Sequence, residues 1–297
     1  MGLAAGRFLI VTADDFGLHE RVNEAVERAS AAGVLSAASL MVGAPAAADA
    51  VRRARRLPHL RVGLHLVLAD GHAVLPGRLI PDLVDEDGCF GGRMVVDGVR
   101  YFLLPGLRRQ VEAEVRAQFE AFARTGLLMD HVNAHKHFHL HPSLLEIILR
   151  VAADFGGPPM RLPREIPRAV RHGAPRLSAW ASAAFLAPWL ARMKRRLEAA
   201  GIAHNDRVFG IARSGGMDER ELLEILASLP DGVTEIYLHP AIESEHPITP
   251  SMSGYRHADE LAALLSPKVR SALAAAKVPC GGYRDIARSR DQPESTG

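Results

Sequence analysis

A histidine-rich segment, residues 129–142, contains the side chains of this sequence that are best suited to metal or proton chemistry. It holds five of the fourteen histidines, namely His131, His135, His137, His139 and His141. Imidazole is a common metal ligand and exchanges protons near neutral pH. Along a continuous strand, alternate residues lie about 6.6 Å apart, too far for one ion whose bonds are about 2 Å long. We therefore predict that the strand ends near His135 and that the chain turns toward a helix with Pro142 in its first turn.

Further polar residues that could take part in a site lie within or directly after three other apolar runs. They are Asp14 and Asp15 after the first run, His65 within another and His239 after a later one. In a parallel α/β fold the catalytic groups come from the carboxyl ends of the strands, so we expect these residues to share one site with His135. Each also has a structural alternative: a helix N-cap for either aspartate, a core position for His65, a turn for His239 and a surface loop for the histidine segment.

One carboxylate with two imidazoles is typical of an open divalent-metal site. Asp15, His65 and His135 would each supply one ligand from a different strand. Asp14 is then our candidate for the general base, and His239 for the acid that protonates the leaving group. Imidazole ligands favour Zn, Cu, Fe or Ni over Mg, but ligand type alone leaves the identity of the metal open.

Four further residues are candidates for substrate contact. Arg161 and Arg164 could orient a carboxylate or a substrate oxygen, with surface salt bridges as the alternative. One or two imidazoles of the histidine segment should point into the site, and His137 and His139 are our candidates among them.

The composition limits the class of protein and its partners. The 297 residues are 48% hydrophobic and 24% charged, as in an ordinary globular protein, and the net charge of +2 disfavours a nucleic-acid partner. Two cysteines, Cys89 and Cys280, imply no disulfide framework and favour a reducing cytoplasm. The first residues lack the pattern of a signal peptide, and no apolar run reaches the roughly 20 residues needed to span a bilayer. The sequence gives no indication of oligomeric state.

Strand and helix patterns alternate along the chain. Predicted strands cover 8–13, 39–42, 60–68, 127–134, 208–211 and 234–238, with an extended stretch at 160–162; predicted helices cover 22–29, 46–57, 107–125, 142–154, 218–229 and 258–277. This alternation predicts an α/β fold with parallel strands, best described as an irregular (β/α) TIM-like barrel. We expect a single domain over residues 1–288 with a long insertion near 70–106, and a disordered tail over 289–297.

An aromatic and basic segment at residues 177–201 contains both tryptophans. Trp180, Phe185 and Trp189 precede a basic cluster over residues 192–196. This composition fits a helix that lies in a membrane interface, and it fits equally well an apolar wall for a lipid-linked substrate. The alternative is an ordinary core helix with a solvated basic end.

Several motifs resemble those of the YdjC-like carbohydrate deacetylases. They are Ala-Asp-Asp-Phe-Gly at 13–17, Gly-Leu-His-Leu at 63–66, the alternating histidines at 135–139, Arg-Leu-Pro-Arg-Glu at 161–165 and His-Pro at 239–240. Their order and spacing match over residues 7–287. The segments at 37–42, 62–68 and 131–142 resemble more narrowly the branch of the family associated with hopanoid biosynthesis.

The resemblance implies an irregular (β/α) barrel that removes an acetyl group from an N-acetylated amino sugar with one divalent metal, usually magnesium. It assigns Asp15, His65 and His135 to the metal and Asp14 to the base. The branch implies an N-acetylglucosaminyl hopanoid lipid as substrate, so we expect a cytoplasmic enzyme with peripheral contact to the inner membrane. A chito-oligosaccharide substrate is the alternative, although Asn133, Ala134 and Ala241 depart from that branch. A catalytically silent sugar-lipid or metal-binding protein is the alternative from another class.

Overall fold

Six parallel strands form a curled sheet that makes up half of a barrel. The computed structural model describes residues 6–92, 96, 104–165 and 177–286, and of residues 105 and 177–183 only the backbone. The strands are β1 (Arg7–Phe16), β2 (Ala37–Leu40), β3 (Arg61–Leu66), β6 (Val132–Ala134), β7 (Arg207–Phe209) and β8 (Gly232–Leu238). Their order across the sheet is β6-β3-β2-β1-β8-β7, and every neighbouring pair is parallel.

Helices follow the strands, and small elements fill the connections. The helices are α1 (Glu20–Ala32), α2 (Ala47–Ala54), α3 (Pro105–Arg124), α4 (Pro142–Asp154), α5 (Leu177–Ala199), α6 (Glu219–Leu226), α7 (His257–Leu265) and α8 (Pro267–Ala276). Strands β4 (Gly71–His72) and β5 (Cys89–Phe90) pair as an antiparallel hairpin in the predicted insertion. Short 3₁₀ turns occupy Gly77–Leu79, His135–Leu140 and Pro250–Met252.

The central strand β1 is buried on both faces. Leu9, Ile10 and Val11 are at most 2% exposed although their side chains alternate in direction. A strand buried on both faces in a parallel sheet carries apolar residues in both directions. Helix α4 shows the matching pattern, because seven of its thirteen residues are buried. The core therefore fixes the strand ends, where the polar motifs lie.

An irregular extended segment, residues 159–164, lies between the two edge strands of the sheet. The Val132 amide donates to the Pro159 carbonyl (2.8 Å), and the Arg161 amide donates back to the Val132 carbonyl (3.0 Å). On the other side, the Val208 amide of β7 donates to the Arg164 carbonyl (2.9 Å). The parallel α/β prediction is confirmed in the described part of the chain. A full TIM barrel is not, because this segment makes only isolated ladder bonds.

Most predicted elements are present, but several boundaries differ, among them the following. The strand predicted over 39–42 ends at Leu40, and the strand predicted over 127–134 begins only at Val132. The helix predicted over 258–277 is two helices that meet at Ser266. Pro267 excludes a helical conformation for the preceding residue, and Ser266 accordingly takes φ −60° and ψ 127°. The predicted tail over 289–297 lies outside the described residues.

We expect Gly33→Ala to destabilise the fold, because a Cβ at this position would lie 2.5 Å from the Leu264 carbonyl oxygen and 2.6 Å from that of Ala29. Relieving such overpacking typically costs about 1–3 kcal/mol, which thermal unfolding measures as a lower Tm. Gly106→Ala is the matched control, since no other described residue has an atom within 4 Å of its added methyl group and alanine is the better helix former. Equal melting temperatures for both variants would contradict the packing of α1 against α7.

Candidate metal centre and active site

A bulge near the end of β1 brings two adjacent carboxylates to the same site. The register with β2 shifts between Ala13 and Phe16, with three β1 residues advancing against two of β2. Asp15 takes a left-handed φ of 63°, which is uncommon for a residue other than glycine. In a regular strand Asp14 and Asp15 would face opposite sides of the sheet. The bulge removes this alternation, so that both side chains can serve one site.

His65 and His135 meet Asp15 to form a compact triad. His65 lies on β3, and His135 directly follows β6, where the strand ends as predicted. Nδ1 of His135 is 3.0 Å and Nε2 of His65 is 3.3 Å from Oδ1 of Asp15. One ligand atom from each residue lies within 4.8 Å of the others, and all three side chains are buried. The structure thus brings together the three predicted ligands.

The triad fits a divalent cation in its charge and in its hydrogen bonding. Both carboxylate oxygens of Asp15 are buried and accept no hydrogen bond of good geometry from the described residues, an arrangement that is costly unless a cation satisfies them. The oxygen of the Asn133 side chain lies 2.6 Å from Nδ1 of His65. This contact holds the Nδ1 proton and leaves Nε2 free as a ligand, as is usual for metal-bound histidine.

Asp14 is bound by a fully buried arginine. Nη1 of Arg161 donates to Oδ2 of Asp14 (2.6 Å) and Nη2 donates to Oδ1 (3.0 Å). Oδ1 also accepts hydrogen bonds from Ser39 (2.8 Å) and Asn133 (3.2 Å). Burial alone would raise the pKa of Asp14, but the Arg161 guanidinium outweighs it and holds this pKa well below its usual range. Asp14 is therefore ionised at neutral pH.

Glu235 of β8 is the second carboxylate that binds Arg161. Its two oxygens accept hydrogen bonds from Nη2 (2.7 Å) and Nε (2.8 Å) of the guanidinium. Thr12 and Tyr283 donate to the same carboxylate, each across 2.6 Å. With Asp14 and Asp15, this makes three carboxylates against one guanidinium. The excess of two negative charges is what one divalent cation would neutralise.

The two aspartates also act on the imidazole of His65. Burial would lower the pKa of His65, but the negative charges of Asp14 and Asp15 outweigh it and raise this pKa. Burial likewise would raise the pKa of Asp15, and His135 holds it well below its usual range. The site therefore stabilises positive charge at the position that the three ligand atoms surround.

His239 lies on the other side of Asp15. Its Nε2 is 3.9 Å from Oδ2 of Asp15, and its ring packs against Tyr237 and Tyr255 with centroid distances of 5.4 and 5.1 Å. Burial lowers the pKa of His239, so the ring is neutral in much of the physiological range. The carboxylate of Glu260 accepts the His239 backbone amide, and burial raises the pKa of Glu260 to about 7.

The turn after His135 separates the next two histidines. Lys136 and His137 take left-handed φ angles of 54° and 55°, which ends the strand geometry and its regular spacing. His137 remains partly exposed, with Nε2 3.1 Å from the Tyr237 hydroxyl. His139 is fully buried, its Nε2 lies 3.0 Å from the Arg161 carbonyl, and burial lowers its pKa to about 3.

The predicted substrate contacts fall into two groups. His137 and Arg164 have exposed surface, and Arg164 lies at the end of the segment that carries Arg161. Arg161 and His139 are 0% exposed and have partners within the protein. In this structure Arg161 binds the carboxylates of Asp14 and Glu235. The predicted contacts of Arg161 and His139 with substrate stay predictions.

The helix N-cap alternative for the aspartates does not apply, because His19 caps α1. Sequence reasoning missed Glu235, Ser39 and Glu260 as parts of the site. A signal existed for Glu235, since a lone acidic residue within the apolar run of β8 has to find a buried partner. Ser39 and Glu260 carried no comparable signal.

Comparison with known sequences identifies the family. The sequence profile of a family described as YdjC-like protein matches residues 8–275. A carbohydrate deacetylase of Brevibacillus brevis (strain 47) is 30% identical over 263 residues, which cover 88% of this chain and 92% of that protein. A carbohydrate deacetylase of Geobacillus stearothermophilus is 30% identical over 282 residues, which cover 94% of this chain and 98% of that protein.

A solved structure supports the same fold. A protein of Enterococcus faecalis V583, named for cellobiose-phosphate cleavage, superposes with a TM-score of 0.70 at 23% identity and covers 95% of this chain and 99% of its own. At this identity the likeness concerns the fold alone. The profile match includes every residue from Asp14 to His239 that forms the site described above. The chain therefore belongs to the family of YdjC-like proteins.

Proposed function

We propose that this protein is a metal-dependent hydrolytic deacetylase. Its reaction is the removal of the N-acetyl group from an N-acetylglucosaminyl hopanoid lipid, which yields the glucosaminyl lipid and acetate. The observation that carries the proposal is the buried triad of Asp15, His65 and His135 beside the ionised Asp14. The two deacetylase relatives support the reaction class, and the sequence motifs support the lipid.

One divalent metal ion, Mg²⁺ or Zn²⁺, is the proposed cofactor, with Asp15, His65 and His135 as its ligands. When bound, such an ion polarises an acyl oxygen and acidifies a water molecule. Asp14 is ionised at neutral pH and can therefore accept a proton.

The side chains of the protein carry out the proton transfers and the positioning that amide hydrolysis also requires. Asp14 accepts a proton from the attacking water, which forms the new C–O bond to the acetyl carbon. His239 takes up a proton from solvent and donates it to the amine as the C–N bond breaks. Asp14 later releases its proton to solvent, so that both residues return to their starting states. Arg161 keeps Asp14 ionised and in place, and we assign it a positioning role. His137 and Arg164 are the proposed substrate contacts.

An exposed aromatic surface on α5 supports the lipid part of the proposal. Phe185 is 75% exposed and Trp189 is 42% exposed, and residues four apart lie on the same face of a helix. Helix α5 contacts both α4 and the 3₁₀ turn that begins at His135. In the described part of the chain, no helix is long and apolar enough to cross a membrane.

Two arginines in the basic part of α5 form salt bridges with α4. Arg192 binds Glu146 of α4 across 3.2 Å, and Arg196 binds the same carboxylate. Arg195 is exposed next to them. Aromatic side chains beside basic ones suit the headgroup region of an anionic membrane, and we propose peripheral contact with the inner membrane surface from the cytoplasm. The side chain of Trp180 lies outside the described residues.

The reaction is tested by mass spectrometry of N-acetylglucosaminyl bacteriohopanetetrol after incubation with purified protein. We expect loss of one acetyl group, abolished by dialysis against EDTA and restored by Mg²⁺ or Zn²⁺. Deacetylation of diacetylchitobiose but not of the lipid would show that the substrate is a chito-oligosaccharide and would leave the proposed mechanism unchanged. Turnover of neither compound would contradict the enzyme proposal and favour a silent sugar-lipid or metal-binding protein.

Membrane contact is tested by co-sedimentation with phosphatidylglycerol vesicles. The double variant Phe185→Ser, Trp189→Ser should bind at least tenfold more weakly than wild type, since burying one such side chain contributes about 1.5–3 kcal/mol. Leu128→Ser is the matched control, because Leu128 is 62% exposed but lies outside α5; it should bind like wild type. Equal binding by all three proteins, or no binding by wild type, would contradict the docking surface.

A further inference from the structure

A buried chain of hydrogen bonds links Asp14 to a second aspartate, Asp130. The Ser39 hydroxyl lies 2.8 Å from Oδ1 of Asp14, and Nε2 of His131 lies 3.0 Å from the same hydroxyl. Nδ1 of His131 lies 3.0 Å from Oδ2 of Asp130. All four side chains are at most 2% exposed. Buried polar chains of this kind are stable only when each member is satisfied, and they then hold their members rigidly.

The far end of the chain is anchored to the backbone. Asp130 accepts the amides of Tyr283 (2.9 Å) and Arg284 (3.1 Å). Burial would raise the pKa of Asp130, but the bond from His131 outweighs it and lowers this pKa. The His131 ring packs on Tyr283 with a centroid distance of 4.9 Å. A Cβ on Gly63 would lie 2.6 Å from three atoms of the His131 ring, so glycine at this position makes room for it.

The number of hydrogens fixes the direction of each bond. The Ser39 hydroxyl has one hydrogen, and the ionised Asp14 can only accept, so this hydrogen points to Asp14. The Ser39 oxygen then accepts from Nε2 of His131 and from the Asn133 amide, 2.9 Å away. Nδ1 of His131 must also donate, because it faces the Asp130 carboxylate. The His131 ring therefore bridges the Ser39 hydroxyl through Nε2 and the Asp130 carboxylate through Nδ1.

The buried chain of hydrogen bonds reaches only one of the two oxygens of Asp14. Oδ1 accepts from Arg161, Ser39 and Asn133, whereas Oδ2 accepts from Arg161 alone among the described residues. Oδ1 is saturated by three donors, and Oδ2 keeps a lone pair. The two oxygens of the proposed base are thus distinct in their capacity to take a proton.

We propose that Ser39, His131 and Asp130 are positioning residues that fix the rotation of the Asp14 carboxylate, so that Oδ2 is the oxygen that accepts the proton. This inference rests on the proposed function, in which Asp14 is the base. Correct orientation of the base is needed in the transition state and not for substrate binding. Its loss should therefore lower kcat and leave KM unchanged.

The test measures kcat, KM and metal content of Ser39→Ala. Loss of a hydrogen bond to a charged group should lower kcat about tenfold or more, with KM and metal content as in wild type. Thr234→Val is the matched control. It also removes a buried hydroxyl from a strand, and the Thr234 hydroxyl makes no hydrogen bond in the described part of the protein. Wild-type kcat for Ser39→Ala, or a parallel loss of metal, would overturn the proposal.

Two variants of His131 distinguish positioning from packing. Gln keeps a donor near the position of Nε2, whereas Leu fills similar space without one. We expect His131→Gln to retain several times the kcat of His131→Leu at equal KM, and equal kcat values in the two folded variants would argue against the chain. If His131→Leu does not fold, Ser39→Ala decides.

The wild-type protein separates failure of this inference from failure of the proposed function. If wild type turns over substrate and Ser39→Ala has the same kcat, the positioning role of the hydrogen-bond chain is wrong but the proposed deacetylase function stands. If wild type has no turnover, the proposed function fails. In that case ¹⁵N NMR of His131 in the metal-loaded protein tests the hydrogen-bond chain. Protons on both ring nitrogens support the assigned bond directions, and an unprotonated nitrogen overturns them.

Discussion

The buried guanidinium of Arg161 is the interaction on which the site depends. It joins Asp14 of β1, Glu235 of β8 and its own extended segment at 159–164, which lies between the edge strands. A buried charge is tolerated only with a charged partner, and removing one partner of such a pair typically costs about 3–5 kcal/mol. Arg161 has two carboxylate partners and 0% exposure. The same guanidinium therefore joins two neighbouring strands to the segment at 159–164 and keeps Asp14 ionised.

Two backbone irregularities make the site possible around this arginine. The bulge in β1 lets Asp14 and Asp15 act at one place, with Asp14 bound to Arg161 and Asp15 left to face the imidazoles. The left-handed turn after His135 ends β6 where its ligand is needed and directs the following histidines elsewhere. Each irregularity costs some local stability. Both occur where the ligands meet, as expected where function overrides regular strand geometry.

The residues of the triad could be predicted from sequence, but the contacts that support them could not. Asp15, His65 and His135 each belong to the end of an apolar run, and parallel strands bring such ends to one edge of the sheet. The pairing of Arg161 with Glu235 depends on which strands are neighbours, and no spacing along the chain encodes it. The half-barrel was missed for the same reason, since ladder formation at 159–164 depends on both edge strands. The break between α7 and α8 could have been predicted from Pro267 in the sequence but was overlooked.

The central claim is that this site separates metal binding from proton transfer, with His135 serving the first and Asp14 the second. It is tested by measuring metal content and turnover together in His135→Ala and Asp14→Asn, with thermal unfolding as a check on the fold. The account predicts that His135→Ala loses metal and activity, whereas Asp14→Asn keeps its metal and loses about 10²–10⁴ in rate. Full metal content in His135→Ala, or turnover near wild type in Asp14→Asn, would contradict it.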